Sequence, residues 1–197
     1  RGAPCGGPTY LCIFAKALQF KGSFNPTYPK IYYSGFEQKD WSRFYNNVRE
    51  PLPPNAPKPL GLPVVLRIYV DADHAGDRLT RRSRTGYIMY LNNAIVNWYS
   101  KKQGSVEGAT FGSEFMAVKS VAEVNGCFRY KLRMMGIPVE EPTYLYGDNM
   151  SVLHNTSNLK STLKKKSNSI AYHYVRESVA MDESRTGYVN TDVNLAD

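Results

Sequence analysis

The chain has 197 residues, of which 42% are hydrophobic and 21% charged, proportions typical of a globular protein with one sizeable core. No apolar run approaches the roughly 18 residues of a membrane span, so no membrane partner is expected. The 25 lysine and arginine residues exceed the 17 acidic residues and give a formal charge of +8, which favours a polyanionic partner such as a nucleic acid. Three scattered cysteines exclude a disulfide framework and indicate a reducing compartment.

The first 63 residues lack a regular hydrophobic pattern. Residues 1–50 are rich in aromatic side chains and are interpreted as an irregular arm. Residues 51–63, PLPPNAPKPLGLP, are rich in proline, which removes backbone donors and restricts each preceding residue to extended conformations. This stretch predicts a linker, so the principal domain is expected to occupy residues 64–197.

Three runs of strand length open this domain, at residues 64–70, 85–91 and 94–100. The first run is followed directly by Asp71. The second and third are separated by Asn92 and Asn93, which tolerate the left-handed backbone of a tight hairpin. The pattern predicts an antiparallel meander of three strands.

Helices and strands then alternate along the chain. Apolar residues at helical spacing predict a long helix over about 110–135, with Gly136 and Pro138 as its stop signal. A short strand at 143–146 leads to Asp148. Either Asp148 or Asn149 is expected to cap the helix that follows. A helix at about 168–181 and a strand at about 187–190 follow. The order predicts an α/β fold with a mixed sheet, in which the antiparallel meander is followed by parallel strands with helices on both faces.

Four acidic residues stand out by their places in these elements. Asp71 and Asp148 follow strands, Glu114 lies on the long helix, and Asp197 falls where a further helix would begin. Carboxylates gathered from several elements are typical ligands of hard divalent cations. Taken singly, each acid also fits a structural role, as a turn acceptor, a helix cap or a solvated charge.

Six sequence blocks strengthen the first interpretation, because they occur in the order found in one family. The blocks are YVDADHAGD (69–77), RRSRTGY (81–87), WYSKKQ (98–103), GSEFMA (112–117), YGDNMS (146–151) and NLAD (194–197). Together they resemble the ribonuclease H domain of copia-type long-terminal-repeat retrotransposon polyproteins. The resemblance implies a ribonuclease-H-like fold that is cut off before its last helix. It also implies an endonuclease that hydrolyses the RNA strand of RNA–DNA hybrids by two-metal-ion catalysis during reverse transcription.

The same resemblance implies the composition of the site. Asp71, Glu114, Asp148 and Asp197 match the family's catalytic residues, which are the ligands of two Mg²⁺ or Mn²⁺ ions. Asp73 remains an alternative to Asp71, because alternation along a strand places both on one side, although the family's register favours Asp71. The implied partners are the hybrid and the polymerase domain of the same polyprotein, and residues 1–50 would then be the end of that polymerase or connection region. The implied location is cytoplasmic, in a virus-like particle.

Basic residues and one asparagine are the candidates for nucleic-acid contact: Arg81, Arg82, Arg84, Lys101, Lys102, Asn149, Lys164, Lys165 and Lys166. Such residues can bind phosphates by shape and charge without reading sequence, or they can simply form solvated faces. An alternative function is an inactive ribonuclease-H-like module, the remnant of a decayed element, that only binds nucleic acid. The presence of all four acids favours the enzyme.

Overall fold

A five-stranded sheet in the order β3-β2-β1-β4-β5 forms the centre of this computed structural model, which describes residues 39–163 and 168–197. The strands are β1 (Leu66–Asp73), β2 (Arg84–Leu91), β3 (Ala94–Lys102), β4 (Thr143–Gly147) and β5 (Ser184–Tyr188). The pairs β1–β2 and β2–β3 are antiparallel, whereas β4 runs parallel to both β1 and β5. The predicted mixed sheet, with a meander followed by parallel strands, is confirmed.

The hairpin between β2 and β3 turns where the sequence predicts it. Asn92 has a φ of +53°, in the left-handed region, and its Oδ1 accepts a hydrogen bond from the backbone N–H of Val65 at 2.9 Å. An asparagine at this position relieves the backbone strain of the turn and ties it to the chain entering β1.

The last strand begins three residues before the predicted position. β5 covers Ser184–Tyr188, whereas the hydrophobic pattern placed this strand at about 187–190. Its buried residues towards the helices are hydroxyl-bearing: Ser184 pairs with Ser178 and Thr186 with Thr156, each through oxygens 2.9 Å apart. A strand that packs through paired hydroxyls carries no hydrophobic alternation, so its start was not visible in the pattern.

Three α-helices pack on the sheet: α1 (Thr110–Met134), α2 (Met150–Ser157) and α3 (Ser169–Ala180). The main core joins them to the side of β1 that carries Leu66, Ile68 and Val70. Helices were expected on both faces, but the α-helices of the described ranges all lie on this one. The opposite face carries a smaller cluster around Tyr69, Tyr146 and Val189. No helix in the described ranges is both long and apolar enough to cross a membrane.

Residues 39–63 lie along this domain. Trp41 is buried under the guanidinium group of Arg176, which stands 4.7 Å from the centre of its ring. Glu50 forms ion pairs with Arg129 and Arg133 of α1. Within the predicted linker, the backbone N–H of Leu60 donates to the carbonyl of Gly136 at 2.9 Å. The division into arm, linker and domain stays a prediction, and residues 1–38 lie outside the described ranges.

The ion pairs of Glu50 predict a measurable contribution to stability. Burial raises the pKa of Glu50, but hydrogen bonds from Arg129 and Arg133 outweigh burial and hold the pKa below its usual value. Replacing Glu50 by Gln leaves the buried guanidinium group of Arg129 and the partly buried one of Arg133 without their counter-charge, so we expect a loss of about 3 kcal/mol in the free energy of unfolding. Chemical denaturation at neutral pH measures this loss.

The matched control for Glu50 is Glu123, whose ion pair with Lys119 lies on the surface of α1. The change Glu123→Gln is expected to cost less than about 0.5 kcal/mol, because an exposed pair is screened by water. Equal midpoints of unfolding for the two variants would show that the ion pairs of Glu50 do not stabilise the packing of residues 39–63 on α1.

Candidate metal centre

Three carboxylates from separate elements converge at one edge of the sheet. Asp71 lies on β1, Glu114 in the early part of α1, and Asp148 directly after β4. One oxygen from each group lies within 4.8 Å of the others. Because β1 and β4 are parallel neighbours, with Tyr69 opposite Tyr146, their carboxyl ends bring Asp71 and Asp148 side by side. The structure therefore brings together three of the four predicted acids.

The electrostatics of this cluster are unfavourable to negative charge. Burial, followed by the charges of Asp71 and Asp148, raises the pKa of Glu114 to about 8, and only 8% of this residue is exposed. Burial and the charge of Asp148 likewise raise the pKa of Asp71 to about 6. Among the described residues, no lysine or arginine forms an ion pair with these three acids. A divalent cation bound by carboxylate oxygens would supply the missing positive charge, so the donor set fits a metal such as Mg²⁺ or Mn²⁺.

The two candidates for the first acid differ in their surroundings. Asp71 is half-buried and belongs to the three-carboxylate cluster, whereas Asp73 is exposed and lies outside it. Asp73 pairs with Arg84 across the β1–β2 ladder, and Asp71 pairs with Gly86. The geometry therefore distinguishes two residues that strand alternation could not.

The closing segment, residues 189–197, approaches the cluster from the face opposite the helices. The Nδ2 of Asn194, a buried side chain, donates to the carbonyl of Val70 at 3.1 Å, next to Asp71. The segment passes so close to Gly86 that a Cβ atom there would lie 2.9 Å from the carbonyl oxygen of Ala196. Asp197 is exposed and is not one of the three clustered acids, but its charge contributes to the raised pKa of Asp71. The fourth predicted acid thus lies at the margin of the site.

A threonine that the sequence did not single out also belongs to the site. Thr191 begins a short 3₁₀ turn (Thr191–Val193), and its hydroxyl donates to Oδ2 of Asp148 at 2.9 Å. This hydrogen bond orients the Asp148 carboxylate through Oδ2. The other oxygen, Oδ1, does not take part in the bond. A threonine 43 positions from its partner gives no signal in a hydrophobic pattern.

The candidate nucleic-acid residues are distributed around this edge. Arg84 and Lys102 face each other across β2 and β3, next to Asp73. Lys102 also forms an ion pair with Asp77 at 2.7 Å, and its hydrogen bond is the largest cause of the lowered pKa of Asp77. Arg81, Arg82 and Lys101 are also exposed. Lys164, Lys165 and Lys166 lie outside the described residues.

Asn149 is held in a structural role. Its side chain caps α2 by accepting the backbone N–H of Val152 at 3.2 Å, so Asn149 and not Asp148 is the cap. This arrangement leaves the Asp148 carboxylate available to the cluster.

The chain is similar to known retrotransposon proteins. It is 32% and 31% identical, each over 132 residues or 67% of its length, to the retrovirus-related Pol polyproteins from transposons RE1 and RE2 of Arabidopsis thaliana. It spans only 9% of the length of these relatives. A scan against protein-family models found no match.

The fold is similar to that of solved ribonuclease H structures. RNase H1 from the halophilic archaeon Halobacterium salinarum aligns with a TM-score of 0.50 and 16% identity, over 66% of this chain and 89% of that chain. LC11-RNase H1, which was isolated from compost and solved in complex with an RNA/DNA hybrid, aligns with a TM-score of 0.51 and 13% identity. The alignment covers 66% of this chain and 88% of that chain. The predicted ribonuclease-H-like fold is confirmed.

Proposed function

We propose that this chain, which belongs to the family of copia-type retrotransposon Pol polyproteins, is a ribonuclease H. Its proposed reaction is cleavage of the RNA strand of RNA–DNA hybrids during reverse transcription. The observation that carries the proposal is the convergence of Asp71, Glu114 and Asp148 at the carboxyl ends of β1 and β4. The hybrid bound to LC11-RNase H1 supports the choice of substrate. The polymerase domain of the same polyprotein is the proposed partner.

The residues of the cluster would hold two divalent ions, with Asp197 as the fourth ligand. When bound, such ions activate a water molecule and stabilise the leaving oxygen of an in-line phosphoryl displacement. The chain holds the three clustered oxygens in advance on a strand, a helix and a strand end, so little rearrangement is needed. Thr191 keeps Asp148 in one orientation through its hydroxyl.

The two acids on β1 make a direct test of this assignment. Asp71→Asn is expected to reduce cleavage of the hybrid by at least about a hundredfold, because it removes a charged ligand from the cluster. Asp73→Asn is its matched control and is expected to change the rate less than threefold, since Asp73 is exposed and lies outside the cluster. The initial rate of hybrid cleavage at saturating Mg²⁺ measures the effect of each variant. A large loss in Asp73→Asn together with a small loss in Asp71→Asn would make Asp73 the first ligand.

The basic residues beside the cluster are proposed to contact phosphates. Arg84 lies two residues along β2 from Gly86, the cross-strand partner of Asp71, which corresponds to about 7 Å along the strand, and Lys102 is paired with Arg84 on β3. Arg81, Arg82 and Lys101 extend the positive surface, and Lys164, Lys165, Lys166 and Asn149 are further proposed contacts. The contact would depend on charge and shape and not on base sequence.

Salt dependence tests this surface. Hybrid affinity is expected to fall steeply with salt, and Arg84→Gln is expected to reduce the slope of log affinity against log salt by roughly one unit. Fluorescence anisotropy with two hybrids of unrelated sequence measures the slope, with Ca²⁺ in place of Mg²⁺ to suppress cleavage. A salt-independent affinity, or an unchanged slope in Arg84→Gln, would remove this residue from the interface.

One assay tests the proposed function as a whole. The protein is incubated with labelled RNA–DNA hybrid, RNA duplex and DNA duplex in Mg²⁺, Mn²⁺ or chelator. Cleavage of the RNA strand of the hybrid alone, abolished by chelator, is the expected result. Binding without cleavage under all conditions would overturn the enzyme and leave the inactive nucleic-acid-binding module as the function.

A further inference from the structure

Gln103 connects β2 to the start of α1. It follows β3 directly, closes the block WYSKKQ and is 8% exposed. Its side-chain Nε2 donates to Oγ1 of Thr85 at 3.0 Å and to the backbone oxygen of Ser113 at 2.8 Å. Its own backbone N–H donates to the carbonyl of Ser83 at 2.8 Å. Gln103 is therefore fixed to the sheet and holds the residue that precedes Glu114.

The start of α1 lacks the usual means of fixing a helix end. Ala109 at the cap position offers no side-chain hydrogen bond, and the first turn contains no acidic residue. Ser113 instead receives contacts from outside the helix: Gln103 reaches its carbonyl, and Nδ1 of His74 lies 3.1 Å from its hydroxyl. These contacts tie the turn that precedes Glu114 to the neighbouring loops.

The Gln103 side chain carries an unfavourable feature as well. Its Oε1 atom is buried and accepts no hydrogen bond from the described residues. A buried acceptor without a partner destabilises the fold, and an apolar side chain of the same shape would avoid this. Features that oppose stability are found preferentially where function requires them.

From these contacts we propose that Gln103 is a positioning residue for Glu114, and that it keeps the Glu114 carboxylate within metal-binding distance of Asp71 and Asp148. This inference rests on the proposed metal-dependent function. Gln103 is not one of the three clustered acids. It acts through Ser113, as supporting residues commonly do around metal ligands.

Binding of Mn²⁺ alone tests the inference without any catalytic readout. The full chain is titrated with Mn²⁺, and the free ion is followed by electron paramagnetic resonance. Gln103→Met, which keeps the length of the side chain but removes the amide, is expected to weaken Mn²⁺ binding about tenfold. Hydrogen exchange of the backbone amides of residues 113–117 in the metal-free protein is expected to become faster in the same variant.

Asn125 offers a matched control on the same helix. It is fully buried, its Oδ1 also lacks a hydrogen bond within the described ranges, and it lies eleven positions beyond Glu114. Asn125→Leu removes a comparable buried amide and is expected to leave Mn²⁺ affinity within about twofold, since it does not support the ligand-bearing turn.

A second variant serves if Gln103→Met does not fold. Thr85→Val keeps Gln103 but removes the hydroxyl that anchors its amide to β2, and a loss of about threefold in Mn²⁺ affinity is expected. If the parent chain binds Mn²⁺ and the folded variants bind it equally well, the positioning role is overturned while the proposed function stands. If the parent chain binds no Mn²⁺, the metal-dependent function is overturned, and this inference with it.

Discussion

Replacing Glu114 by Gln is expected to reduce hybrid cleavage by roughly a thousandfold, equivalent to about 4 kcal/mol of transition-state stabilisation. The same change is expected to make the metal-free protein more stable near pH 8. The reason is that Glu114 is buried beside two other acids, which raise its pKa to about 8, so its ionised form is unfavourable in the folded state. Cleavage rates and thermal unfolding of the metal-free protein measure the two effects, which have opposite signs.

Glu183 provides the control for this variant. It is also buried, and burial together with the charge of Glu50 raises its pKa to about 7, but it lies beside Asn125 and Gly126 of α1, away from the three-acid cluster. Glu183→Gln is therefore expected to stabilise the protein as well, with cleavage changed less than threefold. A comparable loss of cleavage in both variants would show that the Glu114 effect reports on folding and not on the site.

The metal-free protein is expected to lose roughly 2–4 kcal/mol of stability between pH 5 and pH 8. The pKa values of Glu114 and Asp71 are raised to about 8 and about 6, so in this window the folded state binds protons that the unfolded state has already released. Folding is then favoured at the lower pH. The lowered pKa of Glu50 acts in the opposite direction only at more acidic pH, below this window.

Addition of Mg²⁺ or Mn²⁺ is expected to reverse this loss at pH 8 and to have little effect at pH 5, because protons and cations compete for the same oxygens. Urea denaturation at several pH values, with chelator or with metal, measures both trends. In Glu114→Gln the dependence on pH should become shallower, and the remaining slope should include a contribution from Glu183. Stability that rises with pH in chelator would contradict the proposed electrostatics.

The sequence predicted those parts of the fold that depend on local periodicity. The strand after the linker, the hairpin at Asn92 and the long helix each repeat a hydrophobic pattern over consecutive residues, and the structure has them within a few positions. Asp71 and Asp148 were recognisable because strands end there. Their convergence with Glu114 followed from a parallel sheet, although the identity of the first acid required the family resemblance.

Contacts between residues that are distant in sequence could not be predicted in this way. Glu50 and Arg129 are 79 positions apart, and an isolated glutamate in an irregular arm carries no sign of its partner. Thr191 and Gln103 likewise give no sign in the sequence of the contacts they make. Gln103 does, however, end the block WYSKKQ, which is part of the family resemblance. The polar packing of β5 and the location of the described α-helices on one face depend on three-dimensional complementarity, which short-range patterns do not contain.

The close approach of the closing segment to Gly86 links two parts of the site that are far apart in the chain. With only a hydrogen atom at position 86, the backbone around Ala196 can rest directly on β2 beside Asp71. A methyl group would have to displace either the strand or the segment, and the strand is paired on both sides. The segment would yield first and carry Asp197 outward with it. The glycine at position 86 therefore allows the segment that carries Asp197 to lie close to β2 and Asp71, without contributing any chemistry itself.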